Sequence, residues 1–346
     1  MKHDFHTFEF DPELSIGARN AVTVCLRVKP EDKVSVITDT VSMEIAASIA
    51  KEIEAVGAAY NGWVLEELSA RPLRAMPKEI LGDLETSNVS VFAVVAQPDE
   101  LRTRMEMTGV VTRRRIRHAH MVNITKQIMV EGMRADYMKV DAISRKVWTL
   151  ASSAREIHAT TAAGTDIVAR LNPRYRWLKT SGIISTEKWG NLPGGEVFTA
   201  PDRVDGTFVV DGVVGDYLCA KYGNLRDEPL TIRIKENRVV EAYSDNKDLQ
   251  DDFWKYTHAD ENSDRVGEFA IGTNVEILNV IGNILQDEKI PGVHLAFGNP
   301  YGEHTGAPWY SATHLDVVGT KFDVRIDGQA IMEAGRFLFE EVYKSA

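Results

Sequence analysis

The chain is poor in cysteine. Its 346 residues hold only Cys25 and Cys219, and neither sits in a CxxC pair. That argues against a disulfide framework and a thiolate-type structural zinc site, and it predicts two buried thiols in a reducing compartment. Long apolar runs are missing as well. The longest, such as VSVFAVVA (89–96), have the length of a strand and not of a membrane span. The stretch MKHDFHTFEFDPEL is acidic and lacks an apolar h-region, so no secretory signal is expected and the location is read as cytoplasmic. Positive charge is in deficit: 40 Lys and Arg against 51 Asp and Glu give a net charge of −11. This balance argues against nucleic acid or an anionic membrane as partner. No GxGxxG follows any candidate strand, so nothing calls for a dinucleotide.

What is present is enough for two cores. Forty-four per cent hydrophobic residues over 346 positions can fill a sizeable interior and suggest two domains. The first half alternates strand and helix. KVSVITD (33–39), YNGWVLEE and VSVFAVVA (89–96) read as strands, MEIAASIAKEIEAVGA (43–58) as a helix stopped at Gly57, and LRTRMEMTGVVTRRRIRHAHMVNIT as a helix leading into a strand. This order predicts a doubly wound, parallel α/β domain over residues 1–150. The basic cluster RRRIRHAH (113–120) reads as a solvated helix face or a subunit contact, with an anion patch as the alternative. Beyond residue 150 β-branched runs are broken by Gly, Asn and Asp, and RIKENRVVEAY and DVRIDGQAIM read as hairpins. Residues 151–346 are therefore expected to form a β-rich α+β domain, interrupted by one helix over NVEILNVIGNILQDEK (274–289).

Chemistry concentrates in this second half. The 28 residues 292–319 hold three of the nine histidines, His294, His304 and His314, with Asp316 two places after the last. On a strand, His314 and Asp316 point to one face. Glu196 in GGEVF and Glu268 in GEFAI sit inside runs that otherwise read as buried strand, where an ionised carboxylate needs a cation or another partner. Such a nitrogen and oxygen donor set suits Zn²⁺, Co²⁺, Mn²⁺ or Fe²⁺. Composition and spacing reach a candidate metal site and no further.

At these residues the chain resembles a known family. GGEVFTAP, GEFAIGTN, HLAFGNPY and SATHLD, in that order, are similar to the four signature segments of the aminopeptidase T / aminopeptidase S family of dinuclear metallopeptidases. AGTD (163–166) and DGTFVVDG (205–212) fit as well, so the resemblance spans residues 150 to 330. It implies that Glu196 binds one metal, Glu268 bridges both, and His294, His314 and Asp316 complete the ligand set, with the Tyr301 phenol at the site. It also implies two divalent ions (Zn, Co or Mn), a peptide or small amide as substrate, hydrolysis at its N-terminal residue, and a homodimer. The gap between His294 and His314 is shorter than in the family and holds GEHTGAPWY, in which His304 reads as an exposed or supporting residue and Glu303 as exposed. A related branch, the 2,5-dihydroxypyridine 5,6-dioxygenases, uses one Fe(II) held by two His and an Asp. It shares the HxD pair, but where it places a His before the IG step this chain has Ala270. A third reading has the acidic and imidazole groups merely satisfying one another in a structural core.

Overall fold

The computed structural model describes residues 2–97, 99–215 and 217–339. The chain divides into two compact units, residues 1–138 with 182–194 and residues 139–181 with 195–346. The cut expected near 150 thus falls earlier, beside the start of the helix Tyr137–Ser152. The change of texture near 150 marks the end of that helix. The division is also not a single cut. Residues 182–194 return to the first unit because their short strand Gly190–Asn191 pairs with Arg117–Val122, Ala119 opposite Gly190. The last residues of the expected second domain, 340–346, lie outside the described residues.

In the first unit, strands Ala59–Val64, Lys33–Thr38, Val89–Val94, Arg117–Val122 and Gly190–Asn191 lie in that spatial order. Every pairing is parallel. Such a sheet is covered on both faces, which is why Val89–Val94 is buried at all six positions and reads as a continuous apolar run. The crossover helix Met43–Val56 ends with Gly57 at φ 87°, a left-handed cap that any Cβ would oppose. Leu101–Arg114 is the other long crossover helix. The basic cluster that follows is split: Arg113 pairs with Glu85 on the surface, Arg117 pairs with Asp32, and His118 is fully buried.

The second unit holds two antiparallel sheets, one of eight strands and one of five. Both predicted hairpins form in the larger sheet. Their turn residues, Glu236–Asn237 and Asp327–Gly328, all have φ between 46° and 84°, the backbone that tight hairpins require. The five-stranded sheet runs His314–Val318, Gly292–Gly298, Val266–Gly272, Glu196–Thr199, Leu178–Thr180. The helix predicted over 274–289 is not there. Only Ile284–Asp287 is helical, because Gly282 takes φ 78° and Asn283 then caps a fresh turn by accepting the Leu285 N–H. Cys25 and Cys219 are both buried thiols. Among the described residues no helix is long and apolar enough to cross a membrane.

Candidate metal centre

Strand alternation builds the site. In the five-stranded sheet Val197, Phe269, Ile271, Val293, Leu295, Phe297, Leu315 and Val317 all enter the unit's hydrophobic core. Their neighbours along each strand must therefore face the other way. Those neighbours include Glu196, Glu268, His294, His314 and Asp316, all five candidate ligands. The register stacks them across four strands: Glu196 lies opposite Gly272, Ala270 opposite His294, and Ala296 between Glu268 and Asp316, while His314 is opposite Gly298. The other residues of this face are mostly Gly or Ala, which leaves room above the sheet for long polar side chains to converge.

They do converge. His294 Nε2 lies 3.6 Å from Glu196 Oε2 and 3.4 Å from Glu268 Oε1. His314 Nε2 lies 4.0 Å from Glu268 Oε2 and 3.5 Å from Asp316 Oδ1. These separations are too long for good hydrogen bonds. Three of them, at 3.4, 3.5 and 3.6 Å, match two atoms bound to one cation at about 2.1 Å each, which stand roughly 3.0–3.6 Å apart. His294 Nε2 is buried and has no hydrogen-bond partner. An orphaned imidazole nitrogen aimed at two carboxylates is costly unless a proton or a metal ion lies between them. The Nδ1–H of His314 donates to the Asn299 carbonyl at 2.9 Å, which leaves Nε2 with a lone pair toward Glu268 and Asp316. The donor set therefore fits a divalent metal.

The electrostatics agree. Burial opposes charge on His314, but Asp316 and Glu268 outweigh it and raise the imidazole to about 10. His294 is raised in the same way, against burial, by Glu268 and Glu196. Burial pushes Glu268 up, whereas Glu196 is held below the ordinary carboxylate range because Lys289 and His294 overcome its burial. Without a cation these groups can only hold protons in its place.

The family model of thermophilic metalloprotease (M29) matches residues 134–338. The chain belongs to that family. It is accordingly a metal-dependent peptidase, and a requirement for divalent ions goes with membership. The five ligand candidates of this metalloprotease all fall inside the matched span. Its fold is similar to the structure of 2,5-dihydroxypyridine dioxygenase from Pseudomonas putida KT2440, with TM-score 0.70 and 16% identity over 96% of this chain and 98% of that one. Wild-type AmpT from Thermus thermophilus is similar at TM-score 0.69 and 17% identity, over 96% of this chain and all of that one. No curated protein matches significantly.

Two further residues of the metalloprotease reach the site from outside the strands. Glu288, His294 and Asp316 form a second group whose ligand atoms lie within 4.8 Å of one another, beside the group Glu196, Glu268 and His294. Lys289, only 1% exposed, puts Nζ 2.7 Å from Glu196 Oε1 and also donates to Glu288. Burial pushes Glu288 up to about 8, with Lys289 opposing the rise and Glu196 and Asp316 adding to it. Both residues follow the Ile284–Asp287 turn, whose Asp287 carboxylate accepts the N–H groups of Ile281, Gly282 and Asn283. The segment then crosses the sheet face at Gly272, where a Cβ would stand 1.8 Å from the Ile290 carbonyl oxygen. The triplet DEK just before the buried strand that carries His294 was the available signal.

Tyr301, at φ 48°, has its ring 4.5 Å from that of His314 and is 42% exposed. The helical turn Gly302–Thr305 follows, with Glu303 and His304 exposed. Both line a cleft of about 460 Å³ together with Trp148, Tyr175, Arg176 and Trp177.

Proposed function

We propose that the chain removes the N-terminal residue of a peptide or a closely related small amide at a dinuclear metal centre held by Glu196, Glu268, His294, His314 and Asp316. The observation that carries this reading is the way Glu268 divides its oxygens. Oε1 turns to His294 and Oε2 to His314. One carboxylate thus serves two half-sites, Glu196 with His294 on one side and Asp316 with His314 on the other.

Two such ions, when bound, acidify a water to a usable nucleophile near neutral pH and polarise the scissile carbonyl. The protein's own part is to fix the donors and shape the approach. Asn299 locks the His314 tautomer, and the apolar underside of the sheet keeps all five side chains in place. The Tyr301 phenol, beside His314 and open to solvent, is placed to donate a hydrogen bond to charge developing on the substrate oxygen. The adjoining cleft offers aromatic walls and the Arg176 guanidinium to the rest of a peptide.

Elemental analysis of unchelated protein, paired with leucyl p-nitroanilide hydrolysis, tests the proposal. Two equivalents of Zn, Co or Mn with amide cleavage are expected. One iron with oxygen uptake on a dihydroxypyridine would move the chain to the mononuclear dioxygenase reading. Position 270, an alanine directly opposite His294, weighs against that outcome.

A further inference from the structure

Lys289 is an unusual neighbour for a metal centre. Its ammonium is almost completely buried and lies between Glu196 and Glu288. Nζ approaches one oxygen of Glu196 in particular, Oε1, at 2.7 Å. The Thr180 hydroxyl donates to the same Oε1, also at 2.7 Å, from the edge strand Leu178–Thr180 that pairs Thr180 opposite Glu196. A carboxylate oxygen offers about two lone-pair directions. Both directions of Oε1 are taken. Oε2 keeps its own and turns to His294 Nε2 at 3.6 Å, the atom without a hydrogen-bond partner.

We propose that Lys289, with Thr180, is a positioning residue that makes Glu196 a one-oxygen ligand, by occupying Oε1 and presenting Oε2 alone to the cation. The proposal rests on the reading of this site as a metal centre. A carboxylate left with both oxygens open can swing to chelate one ion through both, which raises that ion's coordination number and closes a position that a substrate atom would need. The second contact, to Glu288, ties the crossing segment to the sheet, so one ammonium sets the positions of two carboxylates drawn from different parts of the chain. The lysine itself touches no substrate in this scheme; it acts through Glu196.

The test is Co²⁺ titration of metal-depleted protein, read by isothermal calorimetry and by the visible d–d absorption of the bound ion. Lys289→Met is expected to weaken the Co²⁺ bound through Glu196 by about tenfold or more, the size usual for loss of a partner behind a ligand. It should also lower the absorptivity of that ion, as its coordination number rises. Lys289→Arg, which keeps the charge and the donors, should recover most of the affinity. Thr180→Val should shift both readouts in the same direction by a smaller factor. That variant strands no buried charge, so it carries the test if Lys289→Met fails to fold. Unchanged affinity and spectrum in Lys289→Met, or in Thr180→Val where it stands in, would overturn the inference alone. So would an additional equivalent of Co²⁺ in Lys289→Met, because the lysine would then be standing in a cation's place. Wild-type protein that takes up no Co²⁺ would overturn the metal centre itself and this inference with it.

Discussion

The first unit sets His118 and His120 two residues apart on one strand, and the second sets His314 and Asp316 at the same spacing on another. Their surroundings differ completely. His118 shares a proton with Ser90 at 2.8 Å and another with His120 at 3.1 Å, and Trp189 packs its edge against the pair. No acid joins them in a metal-binding group among the described residues. Burial therefore pushes His118 down to about 3 and His120 well below its ordinary value. His314 is raised instead, because Asp316 and Glu268 face it. Two imidazoles of the same type are thus a neutral hydrogen-bonded core element in one unit and a cation-seeking group in the other. What separates them is the carboxylates that the fold brings alongside, and only the second arrangement calls for a metal.

The largest expected effect would break this contrast at its root. Glu268→Ala removes the one carboxylate shared by both half-sites, so metal and activity should be lost together, with hydrolysis down on the order of a thousandfold. Elemental analysis and an amidase assay of the same preparation check it. If metal content stays at the wild-type level, the second unit's polar cluster is packing, like the first unit's.

A middle-sized effect sharpens the other side. In the unfolded chain a histidine takes up its proton near 6.5, whereas folded His118 refuses it until about 3. The unfolded state therefore binds more protons between these values. Stability is fully present above about 6.5 and falls as the pH drops through this window, by at most about 5 kcal/mol from His118 alone. Urea unfolding of metal-free protein at pH 7 and pH 4.5 should show the loss, and His118→Gln should show markedly less of it. Equal pH dependence in the two proteins would contradict a neutral buried imidazole.

The smallest effect concerns Tyr301. With its ring beside His314 but its surface open, Tyr301→Phe should lower kcat about tenfold and leave the metal content unchanged. A fall in bound metal would make the phenol a ligand instead.

Much of this was legible in the sequence for definite reasons. Continuous apolar runs of strand length and a helix closed by Gly57 made the first unit readable, and tight turns at Glu236–Asn237 and Asp327–Gly328 did the same for the larger sheet. The five candidate ligands stood out because acids and imidazoles are expensive inside runs such as EFAI and HLAF. Glu288 and Lys289 did not stand out. The apolar residues before them, Val275, Ile277, Leu278, Val280 and Ile281, follow near-helical spacing that would carry them to a surface. The backbone reversal at Gly282 and the Asp287 carboxylate that ties the loop together are tertiary facts. His118 and His120 were hidden in the same way, since Trp189, which covers them, lies some seventy residues further along the chain.

Because all five acidic and imidazole side chains sit on one parity of paired strands, hydrogen-bonded register alone measures the distances between them. A single residue inserted within any of those strands would exchange a ligand for a core valine or phenylalanine. The connections between the strands carry no such constraint. The stretch from Asn299 to Thr313 can therefore shrink or grow while His294 and His314 keep their separation, which frees the Glu303 and His304 side of the cleft to change without moving a ligand.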